Sequence, residues 1–251
     1  MNSLVDNRRA QIARYVPWMA RDYLTNQGPS TALVILLIAF LSLQGVTLSG
    51  VEMSRLPEEL LQRVMRQLVG TLVFLGTFFA TNGIVASDRK LGYYKFLFSK
   101  PVSPPAYYAT TFLVYGAGLM LVVLALLGLW ALVVRPMFPP ALFVVVVLMY
   151  FAYGGIGFLL SAAWRFDWLS LVTVLLVANV SWSLWGDSTS PMRGLLYVLP
   201  PVHRADDVYN LILRDAGTPV PWASIAWLGG YGVACFLLGM LVIRRRPLGA
   251  S

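Results

Sequence analysis

Charged and reactive side chains are scarce in this chain. Asp, Glu, Lys and Arg make up 12% of its 251 residues, about half the share usual in soluble domains. A single cysteine, Cys235, excludes a disulfide within the chain and says nothing of compartment. The only lysines are Lys90, Lys95 and Lys100, preceded by Arg, Tyr and Ser. A phosphate-cradling P-loop needs Gly-Lys-Ser/Thr, so no such nucleotide site is present. The sole histidine, His203, sits in a proline-bounded stretch, and no Gly-x-Ser-x-Gly elbow occurs. Both facts argue against a hydrolase.

What is abundant is apolar sequence, at 58%. It falls into six runs, at about 31–50, 64–86, 107–134, 141–163, 168–186 and 222–243. Each is long enough to cross roughly 30 Å of hydrocarbon. The expected fold is a single all-α integral membrane domain of six transmembrane helices. No charge falls in the middle of any run, which excludes an ion channel or proton pump built on intramembrane charges.

The few charges are asymmetric. With the N-terminus placed inside, Arg8, Arg9, Arg14, Arg21, Arg89, Lys90, Lys95, Lys100, Arg165 and Arg244 to Arg246 all fall on the inner side. The outer arginines are balanced by outer acids, so the whole surplus of +8 lies inside. Such a bias marks the cytoplasmic face. Both termini are therefore expected in the cytoplasm of an inner (plasma) membrane protein, with anionic lipid rather than nucleic acid meeting the surplus charge. The first run follows about thirty polar, Arg-bearing residues and is too long for a signal-peptide core, so no cleavable signal is expected.

Residues 8–24 read as an amphipathic helix lying on the inner surface. Ile12, Val16, Met19 and Tyr23 share one face, and Gln11, Arg14, Trp18 and Arg21 the other. Arg9, Arg14 and Arg21 would meet the headgroups. The alternative is a disordered basic tail. Asn26-Gln27-Gly28-Pro29-Ser30 is expected to end the helix. Pro57 suits the first position of the next helix, Glu58 and Glu59 suit its first turn, and Glu59 and Arg63 form an i, i+4 pair. That helix is expected to leave the membrane near Ser87. Gly116, Gly118, Gly154, Gly155, Gly157, Ser161, Gly229, Gly230, Gly232 and Ala234 would let helices approach closely, with a hinge role as the alternative. Asn179, Trp182 and Ser183 share a face in the fifth run, and with Asn82 they either line a path or bond between helices.

Two connections are too apolar to be ordinary solvated loops. In the inner one, 88–105, aromatic residues alternate with lysine. A helix from Asp88 to Phe98, stopped by Pro101, would present Leu91, Tyr94 and Phe98 on one side and Lys90 and Lys95 elsewhere. It would bind either lipid or a protein groove. In the outer connection, 188–221, Leu199-Pro200-Pro201 breaks any helix. Ala205 to Arg214 re-forms one, with Asp206 and Asp207 at its start. His203-x-x-Asp206-Asp207 is read as helix capping, with metal ligation as the weaker alternative.

Asp88-Arg89, then Gly92, then Leu97 and Lys100-Pro101-Val102-Ser103-Pro104 resemble the inner-loop pattern of type-2 ABC transporter permeases. Asp88 stands where that family commonly has Glu, and Phe96-Leu97-Phe98 is bulkier than usual. The six-run layout and the leading helix extend the resemblance over nearly the whole chain. The resemblance implies a permease subunit of an exporter, energised by a separate ATP-binding cassette ATPase that carries the ATP and magnesium. This chain would bind no cofactor and would not itself be an enzyme. A second permease copy or a related permease would complete the pathway. The coupling residues it implies are Asp88, Arg89, Lys90, Gly92, Tyr94, Lys95, Phe98, Pro101, Val102 and Ser103. By the same resemblance Tyr197, Pro200, Pro201 and Asp206 would shape an outer gate. A non-transporting scaffold or assembly factor, for example one supporting maturation of an extracytoplasmic metalloenzyme, is the alternative. A lipid-modifying enzyme using His203 or Asp206/Asp207 is a third class.

Overall fold

The computed structural model describes residues 2–34, 36–37, 58–81, 84–85, 88, 92, 103–133, 141–163, 168–186, 192–213 and 219–245, with side chains for most of them. All regular structure among the described residues is helical. The longer helices are α1 (Asn2–Asp22), α2 (Glu58–Thr81), α3 (Pro104–Val133), α4 (Ala141–Ala163), α5 (Trp168–Trp185) and α8 (Trp222–Arg245). Two short helices, α6 (Met192–Leu196) and α7 (Ala205–Tyr209), lie between α5 and α8. Three stretches are long and apolar enough to cross a membrane: Pro104–Leu129, Ala141–Ala163 and Trp222–Arg245. The apolar parts of α2 and α5 are shorter, Val69–Thr81 and Ser170–Trp185.

Helix α4 is the centre of the bundle, and α8 packs along it most extensively. Glycine makes this possible, because dispersion between closely approaching backbones replaces the hydrophobic drive that lipid cannot supply. A Cβ on Gly155 would strike the Gly232 carbonyl, and one on Gly232 would strike Phe151 and Ala152. Farther along, a Cβ on Gly239 would come 2.7 Å from Phe158. Gly229 faces Leu148, so contacts advance together along the two helices and they run parallel. Gly230, by contrast, faces open space. Gly76 and Gly239 serve the same packing role without having stood out in the sequence.

Helix α2 also runs with α4, through Phe74 against Tyr153, Thr81 against Gly157 and Val85 N–H toward Ser161 Oγ. Helix α3 runs against them. Gly116 admits Tyr150, and Phe112 meets Tyr150, Phe151, Phe158 and Phe236 at ring separations of 4.7–5.8 Å. The buried Tyr150 hydroxyl donates to the Phe112 carbonyl at 2.6 Å, so this aromatic core carries no unpaired phenol there.

The structure corrects three expectations. First, the N-terminal helix does not end at 26–30. A π turn over Tyr23–Gln27 carries it on, Gly28 N–H bonds Tyr23 O, and helical backbone continues through 28–34. The extra residue in that turn moves Gly28 and Thr31 onto the face already buried by Met19 and Tyr23. Second, the apolar face of this helix is not left free: it packs lengthwise along α3. Tyr15 meets Tyr107, Met19 meets Thr111 and Tyr23 meets Tyr115 and Gly118, in matching order. Its packed face is Tyr15, Met19 and Tyr23, while Val16 and Trp18 are exposed. Third, α2 has given way to a turn at Ile84 and Val85, short of Ser87, with Ile84 N–H bonded to Thr81 O. The two residues after Thr81 are Asn-Gly, a turn-favouring pair. The ends of the first span beyond residue 37, and the side chains of Glu58, Glu59, Arg63 and Arg9, lie outside the described residues.

Candidate functional site

Helix α3 begins where the inner loop ends. Ser103 carbonyl accepts the first helical bond, from Tyr107 N–H at 3.0 Å. Pro104 and Pro105 occupy positions whose N–H groups would be unpaired in any case. The start at Pro104 is three residues earlier than the hydropathy boundary at Tyr107. One face of the helix then presents Tyr107, Thr111 and Tyr115 at four-residue intervals, beside Tyr108.

Two carboxylates come to this face from different parts of the chain. Asp22 of α1 accepts from Tyr115 Oη at 2.6 Å and from Asn26 Nδ2 at 2.7 Å. Asp88, at the start of the α2–α3 connection, lies beside Tyr108. Burial raises the Asp88 carboxyl to about 6; the Tyr108 hydroxyl opposes the rise, and the Asp22 charge adds to it. Asp22 sits about three turns into α3. An acid so placed was not visible in the hydropathy profile, because the pairing of α1 with α3 is a tertiary contact.

Gly92 has φ +72° and no atom within 4 Å of where a Cβ would stand. The glycine thus supplies a left-handed turn rather than room. That turn interrupts the helix expected from Asp88 to Phe98. Asp88, Gly92 and Ser103 are therefore placed; Arg89, Lys90, Tyr94, Lys95, Phe98, Pro101, Val102 and Asn82 lie outside the described residues. Arg14 and Arg21 are exposed on α1, away from its packed face.

At the opposite end of the bundle, the 192–213 segment folds back onto the helices. Tyr209 covers Gly70 of α2 and hydrogen-bonds Tyr153 of α4. Arg66 pairs with Asp206 at 3.0 Å, and Ser224 Oγ donates to Asp207 at 2.7 Å. Trp182 stacks on His203 at 3.8 Å, and Tyr197 bridges Trp182 and Trp227. Tyr231 Oη donates to Val198 O at 2.8 Å. Of the expected gate residues, Pro200 and Pro201 are buried, whereas Tyr197 and Asp206 are exposed. Asp206 and Asp207 do sit in the first turn of α7, but each is also bound to another helix. His203 is pushed below its ordinary value, by burial first and then by Arg204, with Asp207 opposing. No group of three potential metal ligands occurs among the described residues. Asn179 and Ser183 are exposed, while Trp182 turns to the cap, where its buried indole N–H has no partner among the described residues.

The chain matches no family model, no curated protein and no solved structure. Its chemistry is therefore read from these two ends alone. The inner end joins α1 to α3 through an acid–phenol bond, and the outer end is an aromatic cap.

Proposed function

We propose that this chain is the membrane-spanning permease subunit of an ATP-driven type-2 ABC transporter, working as an exporter in the inner (plasma) membrane. The carrying observation is the inner-loop sequence from Asp88 to Pro104. Its distinctive residues have physical work to do where they are described: Gly92 makes a left-handed turn, Asp88 lies beside α3, and Ser103 starts α3. In this reading the chain crosses the membrane six times with both termini in the cytoplasm. The parallel course of α2, α4 and α8 against α3 agrees with alternate crossings. The loop docks a separate ATPase subunit, which holds the ATP and magnesium. A second permease copy, or a related one, completes the pathway. Closure of the ATPases moves α2 and α3 as rigid bodies, and the 192–213 cap shapes the outer exit.

The test is co-purification in mild detergent. A stoichiometric ATPase is expected with the wild-type chain and is expected to be lost with Gly92→Pro or Tyr94→Asp. Association and transport that survive both changes overturn the coupling assignment. A wild-type chain that carries no ATPase favours the scaffold class instead.

A further inference from the structure

Helix α1 runs along the first half of α3 in register, with Tyr15 beside Tyr107, Met19 beside Thr111 and Asp22 beside Tyr115. The stretch of α3 that is long and apolar enough to cross a membrane begins at Pro104. Residues 14–22 of α1 thus accompany the first three turns of a crossing segment, the level at which headgroups give way to hydrocarbon. Three side chains turned away from α3 share one stripe there. Arg14, Trp18 and Arg21 stand at i, i+4 and i+7, and all three are exposed, Trp18 at 52%. Neither guanidinium has an ion pair or a hydrogen bond among the described residues. The adjoining acid, Asp22, is committed to Tyr115 at 2.6 Å and to Asn26 at 2.7 Å.

We propose that Arg14, Trp18 and Arg21 form a site for one anionic phospholipid of the leaflet at this end of the bundle. Charge carries the argument. A guanidinium beside an apolar span is costly unless an anion meets it, and no described side chain supplies one. In a bilayer the anion at this level is the lipid phosphate, whose oxygens a guanidinium grips in pairs. Helical side chains lean toward the N-terminus, so Arg21 reaches back past Trp18 toward Arg14 and the headgroups. The indole between them is apolar with a single N–H donor, which suits the glycerol level. An amphipathic helix lying flat would spread such contacts over many lipids, whereas a helix aligned with a crossing α3 gathers them in one place. The site requires that α3 crosses a bilayer; it does not require the transporter reading.

The experiment uses the full chain, labelled with fluorotryptophan, in phosphatidylcholine nanodiscs. The Trp18 fluorine signal is assigned by its loss in Trp18→Phe. The nanodiscs are doped with phosphatidylglycerol or phosphatidylcholine carrying a nitroxide high on the acyl chain, and broadening of the Trp18 signal is followed against dose. Phosphatidylglycerol is expected to act at about a tenth of the dose of phosphatidylcholine, the scale set by two arginines near an anionic headgroup. Arg21→Gln is expected to lower that preference to about threefold, and Arg14→Gln with Arg21→Gln to abolish it. Arg244→Gln with Arg245→Gln, at the far end of α8, is expected to leave it unchanged. Trp182 and Trp227 signals that stay in place show that each variant keeps its fold. Equal broadening by both lipids in the wild-type chain overturns the site. A preference that survives the loss of Arg14 and Arg21 overturns it too, as does one that falls equally without Arg244 and Arg245, since that marks a general attraction to basic protein. A Trp18 signal that neither lipid reaches shows a face covered by protein and sinks the proposal as well.

Discussion

The two ends of the bundle are held by different forces. The inner end relies on an acid–phenol hydrogen bond and a left-handed glycine turn, with Asp22 and Asp88 as the charges involved. The outer end relies on aromatic stacking and on a tyrosine packed against glycine, with its ion pair at the rim. Bonds to a carboxylate respond to protonation and to small displacements, because they are short and directional. Stacked rings lose contact area gradually. The difference teaches that the Asp22 end depends on bond geometry at a carboxylate, whereas the 192–213 end depends on contact area.

The largest expected effect separates the two ends. Tyr209→Ala should cost about 3 kcal/mol of cap stability, in the range for deleting a buried aromatic ring. Hydrogen exchange should rise across 192–213 while α1 and the first half of α3 remain protected. Comparable loosening of both ends would erase the distinction.

Next comes pH. The folded protein holds the Asp88 proton more tightly than an ordinary carboxyl near 3.8 does, with its value raised to about 6. Its contribution to stability is therefore complete below about 3.8 and is lost as pH rises through about 6. Protection at the start of α3 should fall between about pH 4 and 6 and level off above that, and Asp88→Asn should flatten that fall.

A smaller effect is expected at Gly92. Gly92→Ala should cost about 1 kcal/mol, because a left-handed conformation penalises a Cβ. Gly92→Asn should recover part of it, read as thermal stability in detergent. Equal stability of Ala and Asn variants would deny the turn its role. The smallest effect belongs to Arg66→Gln. Asp206 is 78% exposed, so the pair should be worth under about 1 kcal/mol.

Much of the architecture was legible locally. The apolar runs that became α3, α4 and α8 were found within a few residues, because hydropathy is a property of a segment and lipid imposes a length. The outer connection was recognised as too apolar to be solvated, and it does pack on the bundle. The close contact of Gly155 with Gly232 was foreseeable as a type of contact but not as a pair. The N-terminal helix was misjudged because its amphipathic pattern fits lipid or protein equally well. Val16 looked like part of its buried face, yet Tyr15 holds that place. The expected stop at Gly28-Pro29 failed because the chain passes from a π turn over Tyr23–Gln27 directly into helical backbone that includes both residues. The candidate site was half visible: Asp88 and Gly92 stood out by pattern, whereas Asp22 carried no signal of its own.

The sequence by itself determined which segments prefer hydrocarbon, where they begin, and which loop carries a recognisable pattern. These follow from side-chain transfer energies and backbone restrictions that each residue brings with it. Only the tertiary structure decided that α1 stands along α3, that Tyr115 finds Asp22 across 93 positions of chain, and that Tyr209 closes over Gly70. Those outcomes depend on which surfaces meet, and a helix's own residues set only what it can offer, not which neighbour accepts it.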